Sequence, residues 1–581
     1  MRGEASMLRC LKTAAAVQQH VFPLDSSATY TPARWLEDLQ RFRASNDAAS
    51  SRVVAPHLLY PLHFATRSGR ADIVRLMLEK GYEDLDGDGD AGLSPLQIAV
   101  CMGHMAITRA LLAAGADASL RCEAGMSALD LAAFGNHVDI ARVIIEHGVD
   151  ASAAGPQGWT SLHVGANVGN ADIVSLLCLE GASVDARDGQ GSTPLLLTAY
   201  RDHVPATRAL LTAGADVTLR ALGDGKSALD IAASEGHVEI ARALIEHGVD
   251  ANAAAEDGNT ALHFAAASGR TEVVALLCLD GAAAVDVVDE SGCTPILVAA
   301  TRGNVAVAQA LLAAGADVTL REDTLDLSPL DLAAGAGHVD VLRTLVEHGG
   351  NVNAVSRDGL TALHVAACRN KAEVTDALVE AGADVDADEV EQGITPLHIA
   401  ANCCYLPNVL ALLQHGANVG KRNARGQTPL HVAAAAGTAG NLGAAKVVDL
   451  LLRHGADEKA IDNNGQTAVD RIRTHVQGQE EHLAEGVERV LELLANAPAD
   501  RAWRRRGFLI LCRAHYPSGG VLLEQVGNHT IAKRTRSRAQ ASRAEVDWAG
   551  MANMLMGAGA DSISLMGVGA DIIFEAIVSF L

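Results

Sequence analysis

Aromatic side chains are scarce: Phe, Trp and Tyr make up 3% of 581 residues, although apolar residues reach 49%. Packing is therefore built from Ala, Leu and Val rather than from large rings. The ten cysteines include no C-x-x-C pair, which removes the usual zinc-ribbon and dithiol redox arrangements. Cys178 and Cys278, in matching positions beside Leu177 and Leu277, are expected as small buried thiols in a reducing compartment, and Cys403-Cys404 as two free structural thiols. The first residues carry charges and no unbroken apolar run, so no secretory signal is expected. Catalytic signatures are missing as well. Ser94, Ser127 and Ser227 follow Gly-x without a G-x-S-x-G elbow. The glycines at Gly437, Gly440 and Gly443 precede a Lys446 that is followed by Val447, not by Ser or Thr, which excludes a phosphate loop. The apolar stretch Ile563–Leu581 holds Asp571 and Glu575, too costly at mid-bilayer for a span, so a short docking helix is expected there. Nothing supports catalysis, a cofactor or a small-molecule substrate.

What the chain does contain is one unit, repeated. Residues 257–282 read DGNTALHFAAASGRTEVVALLCLDGA. Gly258 supplies a turn, Thr260 an N-cap, and residues 261–268 a short helix with Leu262, Ala265 and Ala266 on one face. Gly269 ends it in the left-handed region, Thr271 is expected to cap a second helix with Val273, Val274, Leu276 and Leu277, and Gly281 to close that one. Helices of about two turns are unstable alone. The copies that support them begin at Leu62, Leu96, Leu129, Leu162, Leu195, Leu229, Leu262, Ile296, Leu330, Leu363, Leu397 and Leu430, at intervals of 33 or 34 residues, with Val469 after 39.

This spacing, with Thr428-Pro429-Leu430-His431 and Gly455-Ala456-Asp457, resembles the ankyrin repeat family over about residues 55–497. The resemblance implies an all-α repeat solenoid: stacked helix-turn-helix repeats with β-turn fingers, and the family's usual role of binding proteins. It names no partner. His163, His263, His364, His398 and His431 in the Thr-x-Leu-His frame, and His63 in the same place after Tyr60, are expected to bridge neighbouring turns as in that family; single histidines a repeat apart make no metal site.

Residues 1–54 form an extension in which Thr31-Pro32 starts a helix carrying Trp35, Leu36, Leu39 and Phe42, expected to cap the first repeat. The repeats fill residues 55–497 and end with an amphipathic helix marked by Leu483, Val487, Val490, Leu491 and Leu494. Within them a longer period stands out. Ser127-Ala128-Leu129-Asp130 returns as Ser227-Ala228-Leu229-Asp230 and Ser328-Pro329-Leu330-Asp331, 100 and 101 residues apart, so blocks of three repeats were copied whole. Residues 498–548 form a partly disordered basic tail and residues 549–581 the apolar terminal helix. Between Arg501 and Arg543 ten Lys or Arg face Glu524 alone, a net +9 on a chain of net −24. Its clusters are Arg504, Arg505, Arg506 and Lys533, Arg534, Arg536, Arg538.

Asp84, Asp86, Asp88 and Asp90 resemble the first ligands of an EF-hand calcium loop, but Pro95 stands where the bidentate Glu belongs, so a solvated acidic turn is the reading. The residue before each cap is taken as the finger tip. It is apolar in two clusters, Leu93-Met126-Trp159 and Leu327-Leu360-Ile394, expected as exposed strips for a partner with Trp159 as anchor. Two functions follow: a cytoplasmic adaptor binding proteins on its concave and finger face, or a nuclear or anionic-surface protein in which the tail does the binding and the repeats are a spacer. Nucleic acid is expected only through the tail.

Overall fold

The structure, a computed structural model, describes residues 61–88, 92–223, 225–438, 443–476 and 487–497. The helix expected around Trp35, both basic clusters of the tail and the apolar stretch after Ile563 lie outside them. All regular elements among the described residues are helices. None is long and apolar enough to cross a membrane.

The chain divides into two units, one ending at Asp317 and one beginning at Val318. Among its described residues the first contains eight helix pairs, from Pro61–Arg67 with Ala71–Glu79 to Pro295–Arg302 with Val305–Ala313. The second runs from Pro329–Ala336 with Val339–Glu347 to Pro429–Thr438 with Ala444–Arg453, followed by Ala468–Val476 and a helix over 487–497. This is an all-α repeat architecture, each pair burying its inner face against its neighbour within the unit.

Repeat seven shows the local logic. Thr260 takes an extended conformation and forms a capping box with His263, and Gly269 ends the helix Ala261–Ser268 at φ +72°. Leu262, Ala265 and Ala266 are completely buried, as are Val273, Val274 and Leu277 of the second helix. Small alanines at the contact let backbones approach and exclude water over both faces. Two expectations fail here. Thr271 is the first helical residue, and Arg270, in the cap position, makes no side-chain capping bond; chain entry is fixed instead by Thr271 N donating to the Gly269 carbonyl. Gly281 is not left-handed. This repeat has one extra alanine before its finger, and Ala282 takes φ +48° in its place.

A helix over 487–497 follows the last described helix pair; of the residues expected to mark it, Leu483 lies outside the described residues and Leu491 is half-buried. Val487, Val490, Leu494 and Ala497, spaced for one helical face, are all buried. A Cβ added at Gly437 would lie 3.6 Å from Val490 Cγ2, which places this helix against the first helix of repeat twelve. A terminal helix with a polar outer face prevents the stack from exposing its core.

Candidate interaction surface

Between helix pairs the chain projects short hairpins, or fingers, held by three kinds of latch. Each hairpin is closed on itself: Asp188 N donates to the Ser192 carbonyl and Gly191 N to the Asp188 carbonyl, at 3.0 and 2.9 Å, and the pattern returns at Asp289–Cys293 and Ser356–Leu360. The first latch joins finger to finger. Asp86, Asp185 and Asp286 Oδ1 accept from the backbone N–H of Asp117, Asp216 and Asp317 in the next repeat. Asn353 and Asp386 do the same for Asp384 and Asn418 in the second unit.

The second latch is the recurring histidine. In His163 the Nδ1 faces the backbone N–H and hydroxyl of Thr160, while Nε2 lies 3.1 Å from the Ser192 carbonyl of the following repeat. A carbonyl only accepts, so the proton sits on Nε2 and Nδ1 is the acceptor. His263, His364, His398 and His431 repeat this with the carbonyls of Cys293, Ile394, Gln427 and Gln466. His63 instead reaches Gly87 O at 2.7 Å. Burial lowers the pKa of all six histidines, opposed by their carbonyl partners.

The third latch was not foreseen. Where the copied blocks put Asp in the histidine frame, an Asp carboxylate cannot donate across to the next repeat. Arginine supplies the donor: Arg121 and Arg220 Nη1 lie 2.9 and 2.8 Å from Asp130 and Asp230, and their Nη2 atoms reach the carbonyls of Ala153 and Ala253. Arg321 stands 3.5 Å from Asp331 in the second unit. Burial raises the pKa of Asp230 and Asp331, against the pull of the cap serine and the arginine. We expect Arg220→Ala to cost about 3 kcal/mol, because it leaves a carboxylate in a residue only 1% exposed without its counter-ion. Asp230→Asn should cost less, since Arg220 can hydrate. Urea unfolding of both variants and the double mutant tests this; equal costs for the two single changes would refute it.

The tip residues lie elsewhere than expected. Leu93 and Met126 are buried, at 5% and 7% exposure, and Trp159, Leu327, Leu360 and Ile394 are half-buried. The residue before the cap closes the hairpin rather than crowning it. The Met126 carbonyl accepts from Cys122 N and from Gln97 Nε2 of the preceding repeat, and that of Ile394 from Glu389 N and His364. Trp159 lies beside the His163 ring, centroids 5.8 Å apart. Leu179, Tyr200, Leu279 and Leu410 are exposed on helices, and the exposed large apolar residues of the hairpins sit on the opposite arm or at the turn. They are Leu222 and Val288 in the first unit, and Leu325, Val355, Val390 and Ile461 in the second, each at least half exposed.

The acidic turn of repeat one is engaged otherwise than in a calcium loop: Asp86 holds the Asp117 amide, the role its counterparts play in other repeats. Among the described residues no three His, Cys, Asp or Glu side chains are grouped to hold a metal ion; Asp90 lies outside the described residues. A cleft of about 540 Å³ in the first unit is lined by Arg121, Asp117, His147 and Asp150, but its arginine is already held by Asp130. Cys178 and Cys278 are half-buried rather than buried. Burial pushes the Cys404 thiol up to about 11, which leaves little thiolate at neutral pH.

Comparison with known proteins places this geometry. A family profile described as ankyrin repeats in three copies matches residues 48–122, 107–188, 162–255, 251–322, 330–423 and 397–471. The mouse B-cell lymphoma 3 protein homolog is 38% identical over 118 residues, 20% of this chain and 25% of that protein. The mouse RelA-associated inhibitor is 42% identical over 64 residues, 11% of this chain and 8% of that one. The chain thus spans a quarter or less of these relatives' own lengths. The crystal structure of the human ASB11 ankyrin repeat domain is 30% identical, covering 36% of this chain and 91% of that chain, with a TM-score of 0.33. Capped helix pairs, bridging histidines and six overlapping profile matches agree: the chain belongs to the ankyrin repeat family.

Proposed function

We propose that this protein is a non-catalytic scaffold that binds other proteins through its fingers and the adjoining concave face. The observation that carries this reading is an apolar row on three successive fingers of the second unit: Leu325, Val355 and Val390 are 57%, 50% and 75% exposed. The fold does not need them there, since the latches use backbone and polar groups. Contiguous apolar exposure of this kind marks interaction surfaces. Leu327, Leu360 and Ile394, half-buried on the same hairpins, would border the contact. The family's use as interaction modules supports the general role.

The test is recovery of bound proteins with the full chain and with Val355→Asp/Val390→Asp. Loss of the recovered proteins at unchanged thermal unfolding is expected. An unchanged set of recovered proteins would overturn the assignment of this face.

A further inference from the structure

The apolar row stands in a strongly acidic setting. Residues 318–400 contain fifteen Asp or Glu against five Lys or Arg, whereas residues 401–497 hold ten against nine. Asp323, Asp358, Asp384 and Glu391 are exposed on the same three fingers as Leu325, Val355 and Val390, with Arg357 the exposed base among them, and Asp388 is paired with Lys421 at 2.8 Å. Two of the three fingers touch: at Gly359, φ +73°, an added Cβ would come within 2.7 Å of Val390 Cγ2, so the finger of repeat eleven leans on that of repeat ten. The patch ends at repeat twelve, whose finger carries Lys421, Arg422 and Arg425. In the first unit the exposed finger residues Leu222 and Val288 stand two repeats apart and form no such row.

The same chain carries the complement. Residues 501–543 combine a net +9 with apolar groups beside the charges: Trp503 next to Arg504-Arg505-Arg506, then Phe508-Leu509-Ile510-Leu511. The last described residue, 497, stands four residues before Arg501 and 36 before Lys533. At most about 3.3–3.6 Å per residue, 36 residues reach up to roughly 120 Å. Three repeats at helix spacings of about 8–10 Å extend roughly 30 Å. Reach does not limit the contact.

We infer that residues 501–543 dock on the fingers of repeats nine to eleven, their arginines facing the acidic residues and their apolar groups covering Leu325, Val355 and Val390. The inference rests on the reading of this face as a binding surface. It makes the tail an internal competitor: a partner for the face must displace it, and a partner of similar basic-apolar chemistry does so best.

The test uses the full chain and a full chain with Arg504, Arg505, Arg506, Lys533, Arg534, Arg536 and Arg538 changed to Gln. The probe is a fluorescent peptide of residues 501–543. The peptide should bind the neutralised chain about tenfold or more tighter than the native chain, whose own tail occupies the site. Raising salt should weaken it. Val355→Ser/Val390→Ser in the neutralised background should weaken it by about tenfold or more, and Asp358→Asn/Glu391→Gln should reduce its salt dependence, all with unchanged thermal unfolding. Equal peptide affinity for native and neutralised chains, indifference to the finger substitutions, or equal binding of a scrambled peptide would each overturn the docking. The partner-recovery experiment separates the two proposals. If the finger variant loses its partners while the peptide does not bind, the face is an interaction site and the tail is not its occupant.

Discussion

Leu262→Ala opens repeats seven and eight while the rest of the first unit stays protected. Leu262 is completely buried, on the first helix of repeat seven, and Ala265 and Ala266 beside it offer no bulk to refill the space. Removing a buried leucine in such a site costs about 2–5 kcal/mol. In a globular core that loss lowers the stability of the whole domain. Here each helix pair contacts mainly its sequence neighbours, so the loss is concentrated in one place. The histidine latch from His263 to the Cys293 carbonyl ties repeat seven to repeat eight, and opening one releases the other. Hydrogen exchange read by peptide should show protection falling first between residues 255 and 321. A uniform fall across the unit, in one cooperative step, would contradict nearest-neighbour stacking.

Acid should weaken the fold before carboxylates titrate. An unfolded imidazole takes up a proton near pH 6.5. In the fold, burial holds His163, His263, His364, His398 and His431 below that value. Protonation would also set an Nδ1–H against the backbone N–H of the cap threonine, as at Thr260, where Nδ1 accepts at 3.2 Å. As pH falls below about 6.5 the unfolded state therefore binds more protons than the folded one, and stability is lost as pH drops through the folded values. Above pH 6.5 this contribution is fully present. Each histidine that stays neutral adds a slope of up to about 1.4 kcal/mol per pH unit. Asp230 and Asp331, raised by burial, act in the opposite sense and in the carboxylate range, so they do not produce this loss. Repeat two supplies the control. Gln97 stands in the histidine frame, completes the capping box with Ser94, and donates to the Leu120 and Met126 carbonyls. His263→Gln, His364→Gln and His398→Gln should keep the fold and flatten the drop between pH 7 and pH 5 in urea titrations. A drop of the same steepness in the triple variant would show that other groups carry it.

The difference between what the sequence disclosed and what it hid follows from what is periodic. Thr260, Leu262 and Gly269 belong to a helix whose cap, buried face and stop have fixed spacing, and all three were legible. The finger is not periodic in that sense. Its two arms differ by which carbonyl returns to the helix frame, and nothing in the string of residues says that Met126 closes the hairpin while Val355 and Val390 face water. Counting back from the cap placed the exposed strip on the wrong arm. The bridging histidines were legible because one residue recurs in one frame. The Arg121–Asp130 and Arg220–Asp230 latches were not, because the arginine lies nine or ten residues upstream, across a turn. Their signal was present nonetheless: each Ser-x-x-Asp of the copied blocks is preceded by an arginine, at 121, 220 and 321. Ala282 escaped because one inserted alanine moved the left-handed residue off Gly281.

The most direct measurement compares the proteins recovered by three full-length chains: the native chain, Val355→Asp/Val390→Asp, and the chain with its seven clustered tail Lys and Arg residues changed to Gln. Binding through the fingers predicts that the finger variant loses the partners and the neutralised tail variant keeps or gains them. Partners kept by the finger variant and lost with the tail charges would contradict it, and would make the repeats a spacer for a basic tail.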